Sequence, residues 1–390
     1  MNDKNSVTKL CESLKESLWA SDYRMKSLEN LQSAQPPSFR HGTGIIIKPE
    51  IDLSEVSIAS GASLTIKKES TESLEIIESA GFSELGKENH ELFSASGGQS
   101  WTAGFNSAFS NASIFIRIPK GKKLGKTATF SITAEALPCS LSVFILAEDY
   151  SDALLSFSKH SSGSASGYFG INFHIAAREG ARLGLLNVQD CGDKVSLFEE
   201  RRATVQKDAS VNWHDLSTGA AFASTAVEAS LVEEGASSEA KCLMASRDGQ
   251  KQDFYTCARH LAPNTKSDLL TKCVVSGKSK ALSRGLILIG KDAHGSSGQE
   301  RQEALVLSDE AEADAVPTLE INNYDVKCSH ASSIGQIDEE KIFYLMNRGL
   351  SEDEARKLII KGYFSPVLGL LGEAERAHLE EGLDKALSGQ

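Results

Sequence analysis

Three short stretches decide how this chain folds: "EGARLGLL" at 179–186, "KDASVNWHDL" at 207–216 and "EEGASSEAKCL" at 233–243. In each, an acidic residue and small residues lead into an alternation of apolar and polar side chains, and the units recur every 27 to 28 residues. Alternation with period two is the pattern of a strand with one buried face. A repeat of this length with one turn signal per unit predicts a β-solenoid, in which each coil buries its inner face only by stacking on its neighbours. The competing arrangement is a β-sandwich, whose turns come about every 8 to 12 residues and would fit parts of the same region.

Outward from these units, the stretch from about Gly44 to Val326 keeps one texture: short runs of Ile, Val, Thr and Ser punctuated by Gly, with weak candidates for long helices. Before it, Leu10, Leu14, Leu18, Met25, Leu28 and Leu31 recur at helical spacings, predicting one amphipathic helix over about 6–32, ended by Pro36 and Pro37. After Gly335 the period is helical again. Asp338 is placed to cap a helix carrying Ile342, Phe343, Leu345 and Met346 that stops at Gly349; Ser351 and Glu354 form an S-x-x-E capping box for a second, ending near Gly362. A third is expected from about Pro366, with Leu370, Leu371, Ala374, Leu383 and Leu387 on it. The expected organisation is a helical or mixed region over 1–100, a mainly β core over 101–335 and a helical region over 336–390.

The chain has 390 residues, 40% of them hydrophobic and 24% charged, enough for a large core. Its longest apolar runs, "VFILA" at 143–147 and "LILI" at 286–289, fall far short of the roughly 20 residues a membrane span needs, so no membrane association is expected. The start, "MNDKNSVTKL", lacks the apolar segment of a secretory signal, and the seven cysteines are scattered without C-x-x-C spacing. These features predict a cytoplasmic protein with free thiols. A net charge of -12 without a long basic stripe argues against nucleic acid as a partner.

Three stretches imitate a phosphate-binding loop, G-x-x-x-x-G-K-[ST], and none completes it. Gly81 to Lys87 is followed by Glu88 where a hydroxyl is required; "GKKLGKT" from Gly121 is one residue short between its glycines; "GKS" at 277–279 has Lys272 in place of the first glycine. No intrinsic ATPase is expected, so an ATP-driven role would need a separate subunit.

Cys328 and His330 stand one residue apart in "KCSH", where a strand gives way to helices. In a strand, residues i and i+2 share a face, so the thiol and the imidazole could act together while Ser329 points away. Three readings follow: a nucleophilic dyad, which also needs an oxyanion hole and an orienting group that the sequence does not identify; half of a metal site, with further ligands from elsewhere; or packing, with Cys328 a small buried hydrophobe and His330 a hydrogen-bonded rim residue.

"PTLEINNYDVKCSHASSIGQIDEEKIFYLMNRGL", residues 317–350, closely resembles the hallmark segment of the SufB/SufD family of iron-sulfur cluster assembly scaffolds. The Cys-Ser-His form ahead of "IGQID" resembles SufD more than SufB. "FNSAFSNASIFIRIPKG" at 105–121, "RHLAPNTKSDLLTKCVVSG" at 259–277 and "GQ" at 298–299 before "LVLS" at 305–308 look like family blocks in the expected order. Ala331 stands where the family usually has Gly. The resemblance implies a right-handed parallel β-helix core flanked by α-helical N- and C-terminal regions, in a complex where SufD pairs with SufB and each carries a SufC ATPase. It implies that His330 lies at the SufB–SufD interface as a ligand to a transient iron-sulfur cluster shared with SufB. Cys328 is a second candidate there, with packing an equal alternative. It further implies that the helices after Asp338 bind the ATPase, with Phe343, Tyr344, Leu345, Arg348 and Gly349 as expected contacts, and that ATP is used only through that partner. In isolation the chain could form a homodimer. Two rival functions are a carbohydrate-active β-helix enzyme, which would need clustered acidic residues on one solenoid face, and a homo-oligomeric adaptor.

Overall fold

A computed structural model of the chain describes residues 4–35, 37–41, 45–58, 64–79, 81–82, 92, 100–368, 373 and 376–377. The sequence repeat is the corner of a coil. Gly180, Asp208 and Gly235 take left-handed φ values of +65°, +54° and +75°, and Asn264 and Gly295 continue the column at +57° and +70°. Glycine adopts this conformation without a Cβ clash, and Asn and Asp tolerate it best among the rest. Each corner amide donates to the next coil: Gly180 to Lys207 O at 2.9 Å, Asp208 to Glu234 O at 3.0 Å and Gly235 to Pro263 O at 3.3 Å. The alanines that follow, Ala181, Ala209 and Ala236, are fully buried.

Helices α1 (Lys4–Ser13) and α2 (Leu18–Ser33), the short hairpin β1 (Arg40–His41) and β2 (Ile45–Ile46), strands β3 (Leu64–Glu69) and β4 (Glu75–Ser79), and helix α3 (Trp101–Ala108) precede the solenoid. Its sixteen strands are β5 (Ala112–Ile118), β6 (Ala128–Ala134), β7 (Cys139–Ala147), β8 (Asp152–Ser161), β9 (Gly167–Ala177), β10 (Arg182–Asp190), β11 (Val195–Val205), β12 (Ser210–Ser217), β13 (Phe222–Leu231), β14 (Ser237–Ser246), β15 (Lys251–His260), β16 (Lys266–Val275), β17 (Lys280–Ile289), β18 (Ser297–Val306), β19 (Glu312–Ile321) and β20 (Lys327–Gly335). Odd-numbered strands form one sheet and even-numbered strands the other, so each coil spends one strand in each. Within the solenoid every pairing is parallel, as at Arg182↔Ser210 and Ser210↔Ser237, which reproduces the spacing read in the sequence. The result is a right-handed parallel β-helix of about eight turns, not a sandwich. At its N-terminal end β3 and β4 pair antiparallel with β6 and β5; at the other end β19 and β20 are edges.

Inward-facing side chains stack into one core. Phe130 lies parallel to Phe157 at 4.9 Å, and Phe157 meets Phe173 edge-on at 5.0 Å. Each such buried ring stabilises the fold by roughly 1.5–3 kcal/mol. The core also holds a balanced ion network: Lys159 Nζ lies 2.8 Å from Glu199, and Arg201 bridges Glu199 and Asp215. All seven cysteines are free thiols.

α3 docks on the outer face of the odd-numbered sheet. Its Asn106 donates to Phe198 O and Asn172 Oδ1, both at 3.1 Å, and accepts from the Tyr168 hydroxyl. Gly170 must be a glycine beneath it, because a Cβ there would lie 2.1 Å from Asn106 Oδ1. The single helix expected over 6–32 is instead two. The chain turns at Lys15, with φ +52°, because Glu16 folds inward to bind Arg24 and the amide of Phe82; Leu18, expected on the apolar stripe, is 86% exposed.

Helices α4 (Glu339–Met346) and α5 (Glu352–Leu368) follow β20. Asp338 caps α4 by accepting from the Glu340 amide at 3.0 Å, and Ser351 and Glu354 form the reciprocal capping box. α5 does not stop near Gly362 but runs through Pro366. Burial of Ile360 and Phe364 on either side of the glycine outweighs its helix penalty of about 1 kcal/mol. Ala355, Ile360 and Phe364 pack with Val188, Leu216, Leu243 and Val274 on the outer face of the even-numbered sheet. The third helix expected from about Pro366 does not start there, because Pro366 lies within α5, and its Leu370, Leu371, Ala374, Leu383 and Leu387 lie outside the described residues. Among the described residues no helix is long and apolar enough to cross a membrane.

Candidate metal-binding site at the open end

β20 continues the even-numbered sheet beside β18 in the register Gly298↔Cys328, Glu300↔His330 and Gln302↔Ser332. Glu300 and Gln302 point into the solenoid and are 1% exposed, so Cys328, His330 and Ser332 project on that same inner side, one coil further out. No later coil covers them, and His330 is exposed. Cys328 is half-buried against the interior cluster. The expectation that these two share a face therefore holds. Two residues along a strand span about 6.5 Å, and no hydrogen bond joins the thiol to the imidazole. Burial pushes the Cys328 thiol up from its ordinary value, which keeps it protonated and a poor nucleophile. The dyad reading loses its support.

The floor beneath His330 is polar. Gln302 Nε2 donates to Glu300 Oε1, and Ser283 Oγ donates to Gln302 Oε1 at 3.1 Å. The second carboxylate oxygen, Oε2, is buried with no hydrogen-bond partner. Across the interior, a Cβ on Gly285 would lie 1.7 Å from Glu300 Oε1, so the glycine opens the space that the carboxylate fills. Burial pushes the Glu300 carboxyl up to about 7. Among the described residues no group of three His, Cys, Asp or Glu side chains is placed to hold a metal ion. A site centred on His330 is thus open, needing ligands from beyond the described residues.

On α4, Phe343 is 67% and Tyr344 56% exposed while Ile342 is buried. The Arg348 guanidinium lies over the Tyr344 ring at 5.3 Å, and Gly349 is exposed with φ +98°. Leu345 packs inward instead, onto the cluster under α5. Two of the loops that imitate phosphate-binding motifs, at Gly121 and Gly277, are left-handed corners between strands. Neither opens a helix whose N-terminus could receive a phosphate. The Gly81–Lys87 stretch lies mostly outside the described residues.

Sequence reasoning missed Glu300 and Gln302. Their signal is parity: they alternate in phase with Ala304 and Val306, which face the interior, so two polar side chains stand where an apolar pair is the rule.

Residues 130–363 match the family described as SUF system FeS cluster assembly, SufBD core domain. The chain belongs to the SufBD family. The matched span runs from within β6 through the rest of the β-helix, the Cys328–His330 edge and α4, and ends within α5. Among SufBD relatives, the iron-sulfur cluster assembly SufBD family protein of Mycobacterium leprae is 30% identical over 193 residues, 50% of this chain and 22% of that protein. The Staphylococcus epidermidis protein of the same name is 27% identical over 269 residues, 68% of this chain and 57% of its own length. That of Staphylococcus haemolyticus is 27% identical over 291 residues, or 72% and 62%. The match thus spans less than two thirds of each of these SufBD relatives. Family membership alone does not distinguish a SufD-type from a SufB-type chain.

Proposed function

We propose that this chain is a SufD-type, non-catalytic scaffold subunit for cytoplasmic iron-sulfur cluster assembly. It pairs with a SufB paralogue through the open end of its β-helix and binds a SufC-type ATPase through α4. The observation that carries this reading is the placement of His330: exposed, on the inner side of the last coil, beside edge strands whose backbone groups are free to meet another chain. There the imidazole supplies one lone pair to iron in a nascent cluster completed by ligands from the SufB side. The cluster is cargo, held transiently and passed on. Exposed Phe343 and Tyr344 with Arg348 make a compact aromatic and cationic surface of the kind that anchors protein interfaces. ATP acts only through the partner bound there.

Co-expression with a SufB paralogue and a SufC ATPase, followed by anaerobic purification, tests both surfaces. His330→Ala should leave the complex and its ATPase activity nearly intact while sharply lowering the iron and sulfide that co-purify; wild-type amounts would remove the ligand role. Cys328→Ala should have a milder effect. Phe343→Ser with Tyr344→Ser should release the ATPase from a chain that still folds and still pairs with SufB. These substitutions are cleaner than deleting 338–390, which would uncover Val188, Leu216, Leu243 and Val274. Retention of the ATPase by the double variant would move its docking site elsewhere, and a homodimer that persists against excess SufB would favour the adaptor reading.

A further inference from the structure

We propose that Glu300 is the positioning residue for His330: its unpartnered carboxylate oxygen accepts the ring N–H, fixing the tautomer and turning the other nitrogen outward toward iron. The inference rests on the reading of His330 as an iron ligand.

The two residues are in register on adjacent parallel strands, roughly 4.8 Å apart, with side chains on the same side. Glu300 is 1% exposed, yet its Oε2 has no partner. Leaving such an oxygen buried and unbonded costs about 1–3 kcal/mol. The surroundings also fix which oxygen is free. Gln302 Nε2 serves Oε1 from within, Ser283 holds Gln302 in turn, and Gly285 leaves the space beneath Oε1. A carboxylate held this firmly, with one acceptor position open, is built to receive one more donor. His330 is the neighbouring side chain on the next coil out, and its exposure leaves the ring free to rotate toward that oxygen. Cys328 cannot serve instead, since its thiol packs into the apolar interior and its register partner is Gly298, which has no side chain. Ligating histidines commonly donate their second N–H to a carboxylate, and removing that acceptor weakens metal affinity about 10- to 100-fold.

Glu300→Gln keeps the shape and changes one atom. Its amide oxygen must stay with the Gln302 donor, because the reverse orientation would point an NH2 at it; the free position therefore becomes a donor and cannot accept from the ring. Glu300→Met removes the acceptor without adding a donor. In the full-length chain, 15N-histidine spectra should show one dominant His330 tautomer in the wild type and its loss or reversal in both variants, with thermal stability unchanged or raised. In the complex purified with a SufB paralogue, both variants should retain about ten-fold less iron. If His330→Ala retains wild-type iron, the underlying ligand reading fails. If His330→Ala loses iron while Glu300→Gln keeps both wild-type iron and the wild-type tautomer, the assignment of Glu300 alone is overturned. Iron loss without a tautomer change, or failure of both Glu300 variants to fold, would equally overturn it in favour of a structural carboxylate.

Discussion

Arg24 and Glu16 form a two-point ion pair with both side chains fully buried: Nε to Oε2 and Nη2 to Oε1, each 2.7 Å. The pair sits between the N-terminal helices and the solenoid. Arg24 Nη1 also donates to Ala108 O at 3.1 Å, Glu16 Oε1 accepts from the Phe82 amide at 3.0 Å, and the guanidinium lies 4.4 Å over the Phe82 ring. Removing one partner would strand a buried charge, which costs about 3–5 kcal/mol, whereas removing both together costs much less. Arg24→Met should lower unfolding free energy in urea by that amount, and adding Glu16→Gln should recover most of the loss. Strict additivity of the two substitutions would show that the pair is not coupled.

At the solenoid corners, substitutions should follow backbone conformation more than chemistry. Gly235, at φ +75°, would place a Cβ 2.2 Å from Asp208 Oδ1. That side chain can move, but the left-handed backbone would still cost an L-residue about 1–2 kcal/mol. Gly235→Ala should destabilise by about that amount, while Asp208→Gly, one coil earlier at φ +54°, should be close to neutral. Thermal melts of the two variants check the contrast, and equal losses would contradict it.

His260 gives the fold an acid limit. Its ring is fully buried, with Nδ1 2.8 Å from Thr265 Oγ1 and Nε2 2.8 Å from Ser267 Oγ. Desolvation lowers its pKa to about 4. The native state therefore binds fewer protons than the unfolded chain between the ordinary value near 6.5 and about 4. Stability is fully present above 6.5 and falls as pH drops through that window, by roughly 3 kcal/mol for this residue. His174, pushed down to about 3 by burial and then by Arg202, acts in the same direction. Melting temperature should decline from pH 6.5 to 4, and His260→Asn should flatten the decline. An unchanged slope would remove His260 as its cause.

Much of the architecture was legible because a solenoid is a local fold. Each coil repeats one turn requirement, and the requirement is written where Gly180, Asp208 and Gly235 recur in front of Ala181, Ala209 and Ala236. The C-terminal caps at Asp338 and Ser351 were legible for the same reason, since a cap depends on residues three or four positions away. The N-terminal helix was misread because its break depends on Glu16 meeting Arg24 and Phe82, and the Phe82 contact spans 66 residues. Gly362 misled in the opposite direction: helix propensity argued for a stop, and the sheet surface beneath Ile360 and Phe364 decided against it.

By itself the sequence determined the β-helix repeat, the family, and that Cys328 and His330 share a face, because strand alternation is a property of the backbone. Only the tertiary structure decided that this face is the uncovered end of the solenoid, that Leu345 turns inward while Phe343 and Tyr344 remain exposed, and that Glu300 lies beneath His330. Glu300 and His330 are 30 positions apart in sequence and one strand apart in space. That proximity follows from the length of a single coil and its parallel register, which the folded sheet fixes through the hydrogen bonds between β18 and β20.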